Sequence, residues 1–243
     1  MIIRTADVED GMPLRVQILA LCAWGAVLCS QGCVSPERRS GDREASSHAR
    51  QPAAVGRSES TLEALSMTPW LEPGQRSRMF PVRFRMEDQD GRSLSQHPWL
   101  GKPFAVSFLY TRCQNSNKCP RVAFTFGELQ KKMASCGLSE KAGLILMSYD
   151  PEGDSCARLK EFALDHGIQP DQSTWIVRPD PGQKLELFRD LQVAVNFNRD
   201  DVNIHGIQLF LFDARSRWVR SYHTLIWDND RIVADLSRLA AER

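Results

Sequence analysis

Apolar residues fall along the chain in short blocks, and their spacing alternates between the periods of strands and helices. Phe80-Pro-Val-Arg-Phe-Arg-Met86 alternates apolar and polar positions and predicts a half-buried strand. Glu87-Asp-Gln-Asp-Gly91 predicts the turn after it. Phe104-Ala-Val-Ser-Phe-Leu-Tyr110 and Gly143-Leu-Ile-Leu-Met-Ser-Tyr149 are nearly continuous apolar runs, as in central strands covered on both faces. Between them, Pro120 to Ser135 carries Val122, Phe124, Phe126, Leu129 and Met133, a set that largely fits a helix. Pro120 suits its first turn, and Gly137 stands just past its end. Ser155 to His166 places Leu159, Phe162 and Ala163 at helical spacing, with Gly167 as the stop. Trp175-Ile-Val177 predicts a short strand and Gln183 to Leu191 a helix. Ile207 to Phe212 and Trp218 to Tyr222 predict a hairpin about Asp213-Ala-Arg-Ser216, and Arg231 to Arg243 a final helix.

Strands alternating with helices, then a hairpin and a helix, specify a three-layer α/β domain. The order is that of a thioredoxin-like fold: a central mixed sheet flanked by helices, here with an N-terminal strand extension. The domain spans residues 71–243, enough for one well-buried core.

The first 33 residues have another character. After Met12-Pro-Leu-Arg15 the chain is apolar from Val16 to Cys29, broken only by Gln17. That is the length of a secretory leader's apolar core and is short for a spanning helix of about 20 residues. Ser30-Gln-Gly-Cys33 resembles a bacterial lipobox, with Cys33 as the residue to be lipidated. Retention as an uncleaved anchor and ordinary cleavage are the other outcomes, and all three imply export. Residues 34–70 are assigned to a flexible tether; as far as about Ser66 this stretch is rich in Ser, Arg, Glu, Ala and Gly. Such a segment buries too little apolar surface to offset its ordering entropy. The expectation is a domain anchored to a membrane and facing the periplasm or another extracytoplasmic space.

Composition narrows the function. With 31 basic and 30 acidic residues the chain lacks the charge footprint of a nucleic-acid binder. Of seven cysteines, Cys22, Cys29 and Cys33 lie in the leader, leaving Cys113, Cys119, Cys136 and Cys156 for the domain. Four in a body this large do not make a disulfide scaffold, which leaves a metal or redox role open.

Tyr110-Thr-Arg-Cys-Gln-Asn-Ser-Asn-Lys-Cys-Pro120 sets Cys113 and Cys119 in one loop between a buried strand and a proline-started helix. Ligands of open α/β sheets gather beyond the carboxyl ends of the strands. The helix dipole lowers the cost of a thiolate there, above all for Cys119. Two thiolates suit Cu(I) or zinc, a dithiol suits disulfide exchange, and a structural disulfide closing the loop is the plainest alternative. Arg112 and Lys118 flank the pair, either assisting thiolate formation or simply solvating the loop.

The segment Gly101 to Cys113 resembles the core signature of the Sco/SenC family, copper proteins that assist cytochrome c oxidase assembly. Further likenesses follow in the family's order: Phe84 to Gly91 as entry strand and turn, Cys119-Pro120, Asp150-Pro-Glu-Gly-Asp-Ser155 for the DPExDT motif, and Asn203 to Asp213 with its histidine. The resemblance covers about Phe80 to Tyr222 and implies that Cys113, Cys119 and His205 bind copper. It implies as partner a respiratory oxidase subunit or another copper protein. The chain departs from the pattern in two places. Its C-x5-C loop is two residues longer than the usual C-x3-C, and Ser155-Cys156 replaces Thr-Pro. Ser155 can still cap the helix, and Cys156 at the first helical position could have a depressed pKa, although a passive thiol is the plainer reading. A Cys136–Cys156 disulfide is a further alternative. Asp150 either supports the site or only turns the chain with Pro151.

Two functions compete, beside a third in which the site is only a structural disulfide in an interaction module. One is a membrane-tethered copper carrier without substrate turnover, which delivers or primes copper by ligand exchange. The other is an enzyme, a thiol-disulfide oxidoreductase or peroxiredoxin-like reductase with Cys113 and Cys119 as catalytic residues. His205 discriminates them, since a dithiol reductase has no need of it.

Overall fold

The structure is a computed structural model that describes residues 66–198, 201–224 and 227–242. The leader, Cys33 and the tether up to residue 65 lie outside the described residues. Among the described residues, no helix is long and apolar enough to cross a membrane.

The strands are β1 (Met86–Glu87), β2 (Phe104–Leu109), β3 (Gly143–Ser148), β4 (Thr174–Pro179), β5 (Val195–Asn198), β6 (Asp201–His205), β7 (Leu209–Phe212) and β8 (Trp218–Tyr222). The helices are α1 (Cys119–Ser135), α2 (Cys156–Asp165), α3 (Lys184–Asp190) and α4 (Asn229–Ala241). Six strands form a mixed sheet in the order β1-β4-β3-β2-β7-β8, and β5-β6 form a separate hairpin. β2, β3 and β4 run parallel, whereas β7, β8 and β1 are antiparallel to their neighbours. This is the mixed sheet flanked by helices that the pattern predicts.

Every residue of β2 and β3 is buried. The reason is coverage of both faces, between which successive side chains alternate. Ala105, Leu109, Leu144 and Leu146 face Val122, Phe126 and Leu129 of α1, Leu159 of α2, and Ile232 and Leu236 of α4. Phe104, Val106, Phe108, Ile145 and Met147 face Leu187 and Phe188 of α3, together with Phe80, Phe84 and Trp99 of the N-terminal extension. Phe104 stacks on Phe212 at 5.1 Å between centroids, and Phe80 meets both rings edge-on. The helix stops fall where the glycines require: α1 ends before Gly137 (φ 66°) and α2 before Gly167 (φ 78°), conformations costly for residues with a Cβ.

Two expectations are corrected. Only Met86–Glu87 of the segment Phe80 to Met86 is strand. Phe80, Phe84 and Met86 are buried as the alternation requires, but Val82 is 49% exposed. Pro81 has no N–H to join a ladder, and the Phe80 and Val82 N–H groups donate to the Ser216 and Phe80 carbonyls instead. The domain also starts before residue 71. Met67 bridges Tyr222, and the N–H groups of Thr68 and Leu71 donate to Ser221 and Val219, so this end of the presumed tether lines the β8 edge.

Candidate metal centre

The chain leaves β2 at Leu109 and is fastened at once to the loop after β3. The buried Asp154 carboxylate accepts from Thr111 Oγ1 at 2.6 Å, Ser148 Oγ at 2.6 Å and the Thr111 N–H at 3.2 Å. Arg112 donates to buried Asp150 from Nε at 3.0 Å and from its terminal nitrogen at 2.6 Å. Asp150 therefore supports the loop through Arg112 as well as turning the chain, where its carboxylate accepts the Gly153 N–H. The Lys118 N–H closes a turn on the Asn115 carbonyl, and Cys119 opens α1 almost wholly buried. Cys113 stays half-buried in the loop.

The third side chain arrives from the hairpin, which the sequence pattern does not predict. His205 ends β6, pairs with Val195, and is 6% exposed. Its Nε2 stands 3.7 Å from Cys113 Sγ and 3.8 Å from Cys119 Sγ. The three candidate ligand atoms all lie within 4.8 Å of one another. The imidazole packs against the Tyr110 ring edge-on and the tilted Tyr149 ring, each 5.3 Å away between centroids. An open cleft of about 510 Å³ gives access, lined by Arg112, Cys113, Gln114, Lys118 and His205 among others.

The two thiols differ in charge. The Cys113 thiol is pulled down to about 4, first by a hydrogen bond from the Cys119 thiol, and further by the Cys119 N–H and His205, against a burial penalty. Cys119 is pushed up by its bond to Cys113 and by burial. The thiolate thus sits on Cys113, which corrects the expectation that the helix dipole favours Cys119: the hydrogen bond between the sulfurs, and then the deeper burial of Cys119, decide it. Tyr110 is pushed up to about 12 by burial and the neighbouring Cys113 charge, which keeps it neutral.

The other cysteines stand apart. All four cysteines of the domain are free, so neither the loop disulfide nor a Cys136–Cys156 bond is present. The Cys156 thiol is pushed up, by burial first and then by its bond to Glu87, in keeping with the plainer reading of a passive thiol rather than a depressed one. Ser155 caps α2 by accepting the Arg158 N–H.

Two contributors escape the residue-by-residue reading. Asp154 lies inside the Asp150 to Ser155 motif, which is its only signal in the sequence, and Tyr149 reads as the end of a core strand. The donor set fits a soft metal, for which two sulfurs and an imidazole nitrogen are suitable ligands. Sulfur and nitrogen ligands of one tetrahedral ion stand about 3.5 Å apart, close to the separations found here.

Comparison with known proteins agrees with this architecture. The SCO1/SenC family model matches residues 73–241. A SCO1 protein homolog of Bacillus subtilis is 30% identical over 88 residues, which span 36% of this chain and 44% of that relative. A SCO1/SenC family lipoprotein from Bacillus anthracis superposes with a TM-score of 0.58 at 23% identity, over 68% of this chain and 98% of the other. Bradyrhizobium japonicum ScoI with copper bound gives 0.52 at 26% identity, over 64% and 96%. These neighbours share the thioredoxin-like fold. Since the family match runs from the N-terminal extension through the last helix, the chain belongs to the SCO1/SenC family.

Proposed function

We propose that this protein is an extracytoplasmic, membrane-tethered copper carrier that delivers or primes copper for assembly of a respiratory oxidase. Cys113, Cys119 and His205 are the ligands in this reading. The observation that carries it is the convergence of two sulfurs and one imidazole nitrogen within 4.8 Å beside an open cleft. Copper is cargo here. Two thiolates and an imidazole match the softness of Cu(I), and Cys113 is already a thiolate at neutral pH, so loading displaces the Cys119 proton. The cleft admits an acceptor's ligands one at a time, and release proceeds by ligand exchange with reduced thiols of the acceptor.

The copper-bound Bradyrhizobium relative supports the cargo, and the lipoprotein relative supports a tether attached through the leader and Cys33. The oxidase as destination follows from what family membership implies. The test is transfer: the copper-loaded full chain is mixed anaerobically with the reduced copper-site domain of an oxidase subunit, and copper is followed after separation. Movement of one equivalent supports delivery; retention by the loaded chain contradicts it.

A second reading is favoured by the asymmetry of the pair, an accessible Cys113 thiolate beside a buried Cys119 thiol. As a reductase, Cys113 would attack a target disulfide and release one target thiolate. Cys119 would then attack the mixed disulfide, leaving Cys113–Cys119 oxidised and the target reduced by two electrons. Trapping a mixed disulfide on Cys119→Ser with a reducible target supports this role; no adduct contradicts it.

A further inference from the structure

A copper ligand must be held where its partners are, yet the hairpin does little by itself to hold His205. β5-β6 is separate from the main sheet, its register shifts between Asn196 and Phe197, and Ile204 beside the histidine is 62% exposed. We propose that Tyr149 is the positioning residue that sets the His205 imidazole over the two sulfurs, through its hydroxyl bond to the Gly206 carbonyl and the tilted contact of its ring. The inference rests on the ligand assignment made above.

Tyr149 is itself immobilised by the core. It is fully buried, its N–H donates to the Leu109 carbonyl at 2.6 Å, and its ring stacks on Phe108 at 5.5 Å and packs against Phe188 at 6.0 Å. Burial keeps the phenol protonated, so Oη is a donor. It donates to the carbonyl of Gly206, the residue after His205, at 2.8 Å. On the other side of that residue, the Gly206 N–H donates to the Ala194 carbonyl at 2.6 Å. A Cβ at Gly206 would stand 3.1 Å from Ala194 Cβ, so the turn is pressed against its neighbour as well as bonded to it. Both polar groups of Gly206 are thus fixed, and the Tyr149 ring lies against the imidazole that precedes it.

The arrangement follows from strand alternation. Where β3 ends, Ser148 and Asp150 turn one way and hold the cysteine loop through Asp154 and Arg112. Tyr149 between them turns the other way and holds the histidine loop. Three consecutive residues therefore place both halves of the site in one register.

The test uses the full chain with Tyr149→Phe, which keeps the ring and deletes only the donor. Cu(I) affinity is measured by chelator competition for wild type, Tyr149→Phe, His205→Ala and the double variant. Loss of one neutral hydrogen bond corresponds to a roughly 2- to 10-fold weaker affinity for Tyr149→Phe. The double variant should bind as His205→Ala alone, because Tyr149 acts only through His205. The Cys113–Cys119 midpoint potential should not move in Tyr149→Phe. The inference alone is overturned if Tyr149→Phe binds like wild type while His205→Ala is weakened, or if Tyr149→Phe weakens binding equally in both backgrounds. If His205→Ala binds like wild type, the ligand assignment falls as well.

Discussion

Removing the Thr111 hydroxyl should loosen the attachment of the cysteine loop to the sheet with little change in shape. Thr111→Val deletes the 2.6 Å bond to Asp154 and leaves the Thr111 N–H and Ser148 Oγ bonds in place. One hydrogen bond to a buried carboxylate contributes about 2 kcal/mol. Asp154→Ala strands all three donors in a buried place and should cost about 4 kcal/mol. For a domain of this size these losses correspond to about 4–8 °C and about 8–16 °C in Tm. Urea denaturation is the assay, read as a fall in midpoint without a change in slope. In the Asp154→Ala background, Thr111→Val should cost almost nothing, since its partner is gone. Because Cys113 follows two residues later, both variants should also bind Cu(I) more weakly. The reasoning is refuted if Thr111→Val lies within about 0.5 kcal/mol of wild type. It is equally refuted if the cost persists without Asp154.

Two further outcomes follow from the charges. Cys113 should be alkylated by iodoacetamide at pH 5–6 while Cys119 remains protected; mass mapping that finds both equally modified contradicts the assigned thiolate. Burial would raise Asp213, but bonds from the Arg217 N–H and from the Arg76 and Arg217 side chains outweigh it and hold its carboxyl below the ordinary value. A depressed carboxyl stabilises the fold above the unfolded-state value of about 3.9, and that stability is lost as pH falls through the folded-state value. Asp213→Asn should therefore be less stable than wild type at pH 7, with a gap that closes below about pH 4; a gap independent of pH contradicts the ion-pair account.

Much of the fold was legible because coverage leaves a plain record. β2 and β3 are buried on both faces and appear as unbroken apolar runs, and Gly137 and Gly167 mark helix ends by backbone conformation alone. The misread segment shows the limit of alternation. Phe80, Phe84 and Met86 do face the core, but side-chain pattern says nothing about where an N–H group donates, and Pro81 breaks the ladder. The β5-β6 hairpin was illegible because its strands are short and partly solvated, so Val195, Phe197, Val202 and Ile204 leave a weak imprint. The cysteine loop could be placed from strand, loop and helix order, whereas His205 was reached only through family resemblance. Which sulfur carries the charge depends on the bond between the two sulfurs and on their unequal burial, and no local motif encodes either.

The central claim is most directly tested by anaerobic Cu(I) titration of the reduced full chain against a competing chelator, beside Cys113→Ser, Cys119→Ser and His205→Ala. The account predicts tight one-to-one binding that each substitution weakens. Binding that is absent, or indifferent to His205, would contradict it.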